Sequence, residues 1–123
     1  MKKSITSTSG SIEPSEQQIQ NEILRTFMGK GGPEWLLCWR NNTGQVKTHG
    51  RYVRFGMIGQ ADLSGLLAPN GRRLEIEVKT PKGRQSENQE IFERNIVLYG
   101  GVYILARSVD DVWAALEKEG YSR

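Results

Sequence analysis

Residues 74–80 read Leu-Glu-Ile-Glu-Val-Lys-Thr. Leu74, Ile76 and Val78 alternate with Glu75, Glu77 and Lys79, the period-two pattern of a strand with one apolar and one polar face. Asp62 lies upstream, in Gly-Gln-Ala-Asp at 59–62. Two chemistries fit carboxylates and a lysine on one strand face. In the first they form exposed cross-strand ion pairs, each contributing a few tenths to about 1 kcal/mol. In the second the carboxylates supply oxygens to magnesium, which takes one or two protein carboxylates and keeps several waters. The lysine then orients or deprotonates a water, or stabilises charge on a phosphoryl transition state. Gly59 and a basic loop before Asp62, and a second basic loop after Lys79, weigh toward the second.

A hairpin must bring these residues together. Ala-Pro-Asn-Gly-Arg at 68–72 carries Asn70-Gly71, a strong turn signal between two apolar-alternating runs. A register pairing 69 with 72 sets Asp62 against Lys79 and Ser64 against Glu77. A slip by two keeps the same faces and sets Asp62 against Glu77, whereas an odd slip separates them. The opposite face carries Leu63, Leu67, Leu74, Ile76 and Val78, suited to a core under helices.

The elements around the hairpin follow from caps and periodicity. Ser-Glu-Gln-Gln-Ile-Gln-Asn-Glu-Ile-Leu-Arg-Thr-Phe-Met-Gly opens on Ser15 as N-cap and places Ile19, Ile23 and Phe27 on one helical stripe. Glu16 lies on that stripe at its N-terminal end, and Glu22 lies to the side. Gly29 to Pro33 ends the helix. Residues 35–40, Trp-Leu-Leu-Cys-Trp-Arg, predict a buried strand. Residues 41–51 read as a basic loop with Lys47, His49 and Arg51, and Arg54 follows. Residues 61–67 predict a strand, 72–80 its returning partner and 80–85 a basic loop. Ser86 caps a helix with Gln89 on its first turn and Ile91, Phe92, Ile96, Val97 and Tyr99 as its apolar surface. Gly100-Gly101 closes it. Val102 to Ala106 is a strand expected to run parallel to the one before the helix. Ser108 caps the last helix.

The fold class is therefore α/β, a mixed central sheet flanked by helices on both sides. A chain of 123 residues suits a single domain, expected over 15–123, preceded by a Ser/Thr/Gly-rich flexible tail over 1–14. The single cysteine, Cys38, excludes an intrachain disulfide. With no apolar signal segment near the start, a reducing, intracellular setting is expected. No run approaches a membrane span. The balance of 17 Lys+Arg against 14 Asp+Glu, net +3, is compatible with nucleic acid without arguing for it. No Cys/His zinc pattern, Gly-rich phosphate loop or serine-nucleophile motif is present.

Taken in order, these motifs resemble the VRR-NUC (virus-type replication-repair nuclease) family of the PD-(D/E)xK nuclease superfamily. The matching residues are Glu16, Arg40-Asn41-Asn42-Thr43-Gly44, Gly59 to Asp62, Glu77-Val78-Lys79-Thr80, Gly83, Ser86, Gln89 and Gly100 to Tyr103. The resemblance covers roughly residues 15–112. It departs at Ala61, where the superfamily motif has proline, and at Glu75, where a neutral or apolar residue is commoner. The resemblance implies a restriction-endonuclease-like αβββαβ core. It also implies a Mg2+-dependent DNA endonuclease, with Mn2+ able to substitute, whose products end in 5′-phosphate. Asp62, Glu77 and the Val78 carbonyl would bind the metal. Glu16 would reach it through water or hold a second ion, and Lys79 would sit beside the attacking water. Gln89 would orient Lys79 or a phosphate, and Arg40 would contact DNA.

Standalone members of this size resemble phage and bacterial proteins that act as homodimers on branched DNA, four-way (Holliday) junctions included. The expected substrate is therefore branched DNA in a bacterial host. Flap, nicking or non-specific cleavage, and a non-catalytic DNA-binding module, stand as alternatives. Lys47, Arg51 and Arg54 with Lys82 and Arg84 form two basic clusters beside the site, solvated charge or a rim for phosphates. Cys38, Trp35, Trp39 and Trp113 are expected to pack in the core. His49 is expected at the surface or on DNA.

Overall fold

The computed structural model describes residues 13–42 and 44–123; the side chains of 44–46 and 52–55 lie outside that description, as do residues 1–12 of the expected tail. Three helices form where the caps predict them. Helix α1 runs Glu16–Met28, and Ser15 and Gln18 close a capping box at its start. Helix α2 runs Glu87–Leu98 with the same box made by Ser86 and Gln89. Helix α3 runs Val109–Lys118 behind Ser108. None is long and apolar enough to cross a membrane.

Among the described residues six strands accompany them: β1 Leu36–Arg40, β2 Gly44–Thr48, β3 Arg51–Phe55, β4 Leu63–Leu67, β5 Arg72–Val78 and β6 Val102–Ala106. Four make one sheet in the order β1-β4-β5-β6. β1/β4 and β4/β5 are antiparallel and β5/β6 is parallel, so the sheet is mixed. The parallel β6 is what a crossover helix between β5 and β6 requires.

Two sequence expectations are corrected here. Within residues 41–51, expected as loop, Gly44–Thr48 forms β2, which pairs with β3 Arg51–Phe55 in a separate hairpin. His49 and Gly50 both adopt positive φ at its tip, 51° and 75°, the backbone of a two-residue type I′ turn. The hairpin between β4 and β5 turns through four residues rather than two. Leu67 pairs with Arg72, and the Gly71 N–H donates to the Leu67 carbonyl. Pro69 has no N–H to give a ladder, so it lies in the turn rather than at a paired position. The resulting register, Leu63 to Ile76 and Ser64 to Glu75, is the slip by two.

Helices α1 and α3 lie on one sheet face and touch each other. Between them and the sheet sit Ile19, Ile23, Phe27, Leu36, Cys38, Leu63, Leu67, Leu74, Ile76, Val78, Val102, Ile104, Ala106, Val112, Trp113 and Leu116, one buried cluster. Cys38 and Trp113 thus pack as expected, and Trp35 stacks on Tyr121 at 4.8 Å against the same cluster. Trp39 does not. It is 40% exposed, because β1 begins after Trp35 and its alternation turns Leu37 and Trp39 to the other face. That other face is covered by α2, whose Phe92 ring meets Tyr103 of β6. Of the five apolar residues expected to line α2, only Phe92 is buried and Ile96 is half-buried. The sheet beneath α2 presents Glu75 and Glu77 rather than an apolar stripe, so there is little for the rest to pack on.

Candidate active site

The site is built where β4 begins and β5 ends. Extended by one residue, the β4/β5 register sets Asp62 beside Glu77. The Val78 N–H donates to Asp62 Oδ2 at 2.8 Å, which ties the carboxylate to β5. Glu77 projects to the face opposite Ile76 and Val78 and is 2% exposed. Its Oε2 accepts from Gln89 Nε2 at 2.8 Å and lies 3.5 Å from Lys79 Nζ. Its Oε1 is buried without a hydrogen-bond partner. An orphaned carboxylate oxygen in such a place is costly unless some group is meant to meet it.

The titration behaviour agrees. Burial pushes the Glu77 carboxyl up to about 7, and the Asp62 charge adds to the rise against the pull of Lys79. Burial also raises Asp62; the Val78 N–H opposes that rise, Glu16 adds to it, and Lys79 opposes it. Glu16 stands half-buried on the first turn of α1, close enough for its charge to act on both carboxylates. No group of three His, Cys, Asp or Glu residues placed to hold a metal ion occurs among the described residues. Two carboxylates suffice for magnesium, which keeps waters in its remaining positions. Asp62 with the bare oxygen of Glu77 fits such an ion.

Gln89 lies on the first turn of α2, as expected. Its Oε1 accepts from the Ser86 N–H while its Nε2 holds Glu77, so it links the cap of α2 to the carboxylate itself. Among the basic residues, Arg40 is tied to α1, donating from Nε to Gln20 Oε1 at 3.1 Å and from Nη2 to Asn21 Oδ1 at 2.5 Å. Gln20 is one helical turn from Glu16, so Arg40 flanks the site along α1. Lys47 and Arg51 are exposed on the β2/β3 hairpin, and Lys82 and Arg84 are exposed between β5 and α2. The Arg54 side chain lies outside the described residues. His49 is exposed, as expected.

Sequence reasoning missed Arg107. Its Nη2 donates to the Gly83 carbonyl at 2.9 Å and so anchors the loop carrying Lys82 and Arg84. Only the parallel pairing of Val78 with Ala106 puts it there, and no local pattern announces that. Glu75, unplaced by sequence, is fully buried, with Ser64 Oγ at 3.0 Å and Arg73 Nε at 2.6 Å. Comparison with protein-family models, with curated proteins and with solved structures finds no match.

Proposed function

We propose that the chain is a Mg2+- or Mn2+-dependent endodeoxyribonuclease of the VRR-NUC kind, acting on branched DNA such as four-way junctions as a homodimer. One observation carries the reading: a buried, unpartnered Glu77 oxygen beside Asp62, with Lys79 Nζ 3.5 Å from the same carboxylate. The element order supports it. With the β2/β3 hairpin set aside, the chain runs αβββαβ and then α3, the order of a restriction-endonuclease-like core.

Each side chain has a role in this reading. Asp62 and Glu77 would hold the ion, and the Val78 carbonyl would add an oxygen. A bound divalent ion supplies Lewis acidity at the scissile phosphate and favours an ionised nucleophile at neutral pH. Gln89 and Lys79 keep Glu77 Oε2 occupied, so that Oε1 is the oxygen left for the ion. Lys79 carries three donors and engages Glu77 with one, leaving the others for a water or a phosphate oxygen. Water oxygen attacks phosphorus in line, and the 3′ oxygen departs, leaving a 5′-phosphate and a 3′-hydroxyl. Arg40, Lys47, Arg51, Lys82 and Arg84 would hold flanking phosphates.

The test is cleavage of linear duplex, single strand, flap and four-way junction in magnesium, with Lys79→Ala and Asp62→Ala. Lys79→Ala is expected to lower cleavage about 10²- to 10⁴-fold while the protein stays folded. Binding of every substrate with cleavage of none would make the chain a DNA-binding module instead. Cleavage of flap or linear DNA in preference to the junction would make it a nicking or flap nuclease.

A further inference from the structure

Asp62 precedes β4, and the Val78 N–H of β5 holds its carboxylate. Its backbone is held by Asn41, the residue after β1, where the β1/β4 register extends by one residue. The Asn41 backbone N–H donates to the Asp62 carbonyl at 2.8 Å. Its Nδ2 donates to the Ala61 carbonyl at 2.9 Å and to Ser64 Oγ at 2.6 Å. Both protons of one amide are thus spent on residues that flank Asp62, Ala61 in the turn and Ser64 on β4. A carbonyl only accepts, so the nitrogen and not the oxygen of the Asn41 amide must face Ala61.

The direction of these bonds is set further away. Ser64 and Glu75 are both fully buried and are register partners on β4 and β5. Glu75 is paired with Arg73 through Oε2, so its Oε1 faces the Ser64 hydroxyl as an acceptor. Ser64 must then donate to Glu75, which leaves its lone pairs to receive Asn41. The chain reads Arg73 to Glu75, Ser64 to Glu75, Asn41 to Ser64 and Asn41 to Ala61, with one proton arrangement that satisfies every group. A leucine at position 75 would fill the space without burying a charge, and packing alone therefore does not call for a carboxylate there.

We propose that Glu75 and Asn41 are positioning residues for the candidate metal carboxylate Asp62. Glu75 sets the Ser64 hydroxyl, the hydroxyl sets the Asn41 amide, and the amide clamps Ala61–Asp62 opposite Glu77. This rests on the reading that Asp62 and Glu77 hold a divalent cation. Outer partners of metal carboxylates typically change affinity 10- to 100-fold when removed.

The experiment has two arms on the full chain. In the first, Mn2+ binding is measured by calorimetry for wild type, Asn41→Ala, Glu75→Gln, Ser64→Ala, Asp62→Ala and the Asn41→Ala/Glu75→Gln double variant. Each of Asn41→Ala and Glu75→Gln is expected to weaken binding roughly tenfold. The double variant is expected to bind no more weakly than the worse single, because the two lie in one chain. Ser64→Ala, which removes the hydroxyl between Glu75 and Asn41, is expected to weaken binding by a similar factor. In the second arm, the Asn41 side-chain amide is followed by NMR in metal-free protein. Glu75→Gln is expected to shift its resonances and speed their exchange, although Glu75 is joined to Asn41 only through Ser64. Wild type that binds no Mn2+ overturns the metal reading and leaves the network to the NMR arm. An Asn41 amide unmoved by Glu75→Gln overturns the network. So do single variants within twofold of wild type while Asp62→Ala fails to bind, and so do single effects that multiply in the double variant.

Discussion

Glu77 is the residue where burial and function pull hardest against each other. It is 2% exposed, beside a second carboxylate, with one oxygen lacking any partner. Its carboxyl rises from 4.5 to about 7, first through burial and then through the Asp62 charge. The sign of the consequence is definite. Between those two values the folded protein binds more protons than the unfolded chain, so stability from this group is present below about 4.5 and is lost as pH rises through about 7. Metal-free protein is therefore expected to melt higher at acid than at mildly basic pH, by a Tm difference on the order of 5 °C. Scanning calorimetry from pH 5 to 8 measures this, with Glu77→Gln, which cannot ionise, expected to flatten the profile. An equally steep profile in that variant would assign the effect to other groups. Magnesium should reverse the trend, because an ion competes with the proton for the same oxygens and gains affinity as pH rises.

At the level of elements, the site depends on the start of α2 lying against the turn that leads to Asp62. Gly59 makes this approach possible. It holds φ +78°, and a Cβ there would stand 2.3 Å from the Asn88 carbonyl oxygen. Gly59→Ala is expected to destabilise by roughly 2–3 kcal/mol, about 1–2 of it from the left-handed backbone and the rest from the clash. It should also weaken metal binding by shifting Gln89 from Glu77. Gly100 has φ +90° with nothing within 4 Å of a Cβ, so Gly100→Ala should show the backbone part alone and leave the metal affinity intact. Chemical denaturation with a metal titration on both variants checks the contrast.

These elements were unequally legible in the sequence. Ser15, Ser86 and Ser108 marked their helices because an N-cap is a local event, complete within four residues. In the main sheet β5 was legible from its alternation and β1 and β6 as short apolar runs, which is why the exposed face of β1 was not foreseen. The β2/β3 hairpin was missed because its turn is His49-Gly50, where histidine rather than asparagine takes the left-handed conformation. The shared face of Asp62, Glu77 and Lys79 could be read for either of two registers, since a slip by two preserves it, whereas an odd slip would have separated them. What Glu75 and Gln89 touch could not be, because Ser64 and Glu77 reach them only through long-range pairing.

For the whole molecule, the balance of charge and exposed surface bears on how a substrate would be held. The net charge is only +3, yet Lys82 and Arg84 stand exposed on the loop between Lys79 and α2, with Arg51 exposed on the β2/β3 hairpin. Each phosphate neutralised releases counterions, so affinity should fall steeply as salt rises. Reversing Lys82 and Arg84 to glutamate should weaken every DNA substrate alike and shallow the salt slope, leaving Mn2+ affinity unchanged. Each chain carries one Asp62–Glu77–Lys79 set, whereas a four-way junction is resolved by two nicks at symmetric positions. Two-fold pairing of identical chains supplies two sites related as those strands are. The protein is therefore expected to sediment at micromolar concentration as twice the mass of one chain. On a junction carried by a supercoiled cruciform, where release requires both cuts within one encounter, it should give linear product without accumulation of nicked circles. Mixing wild type with Lys79→Ala chains should then yield nicked circles in proportion to the mixed dimers. A monomer in sedimentation, or nicked circles from wild type alone, would remove the paired-cut mechanism while leaving the chemistry at Asp62, Glu77 and Lys79 untouched.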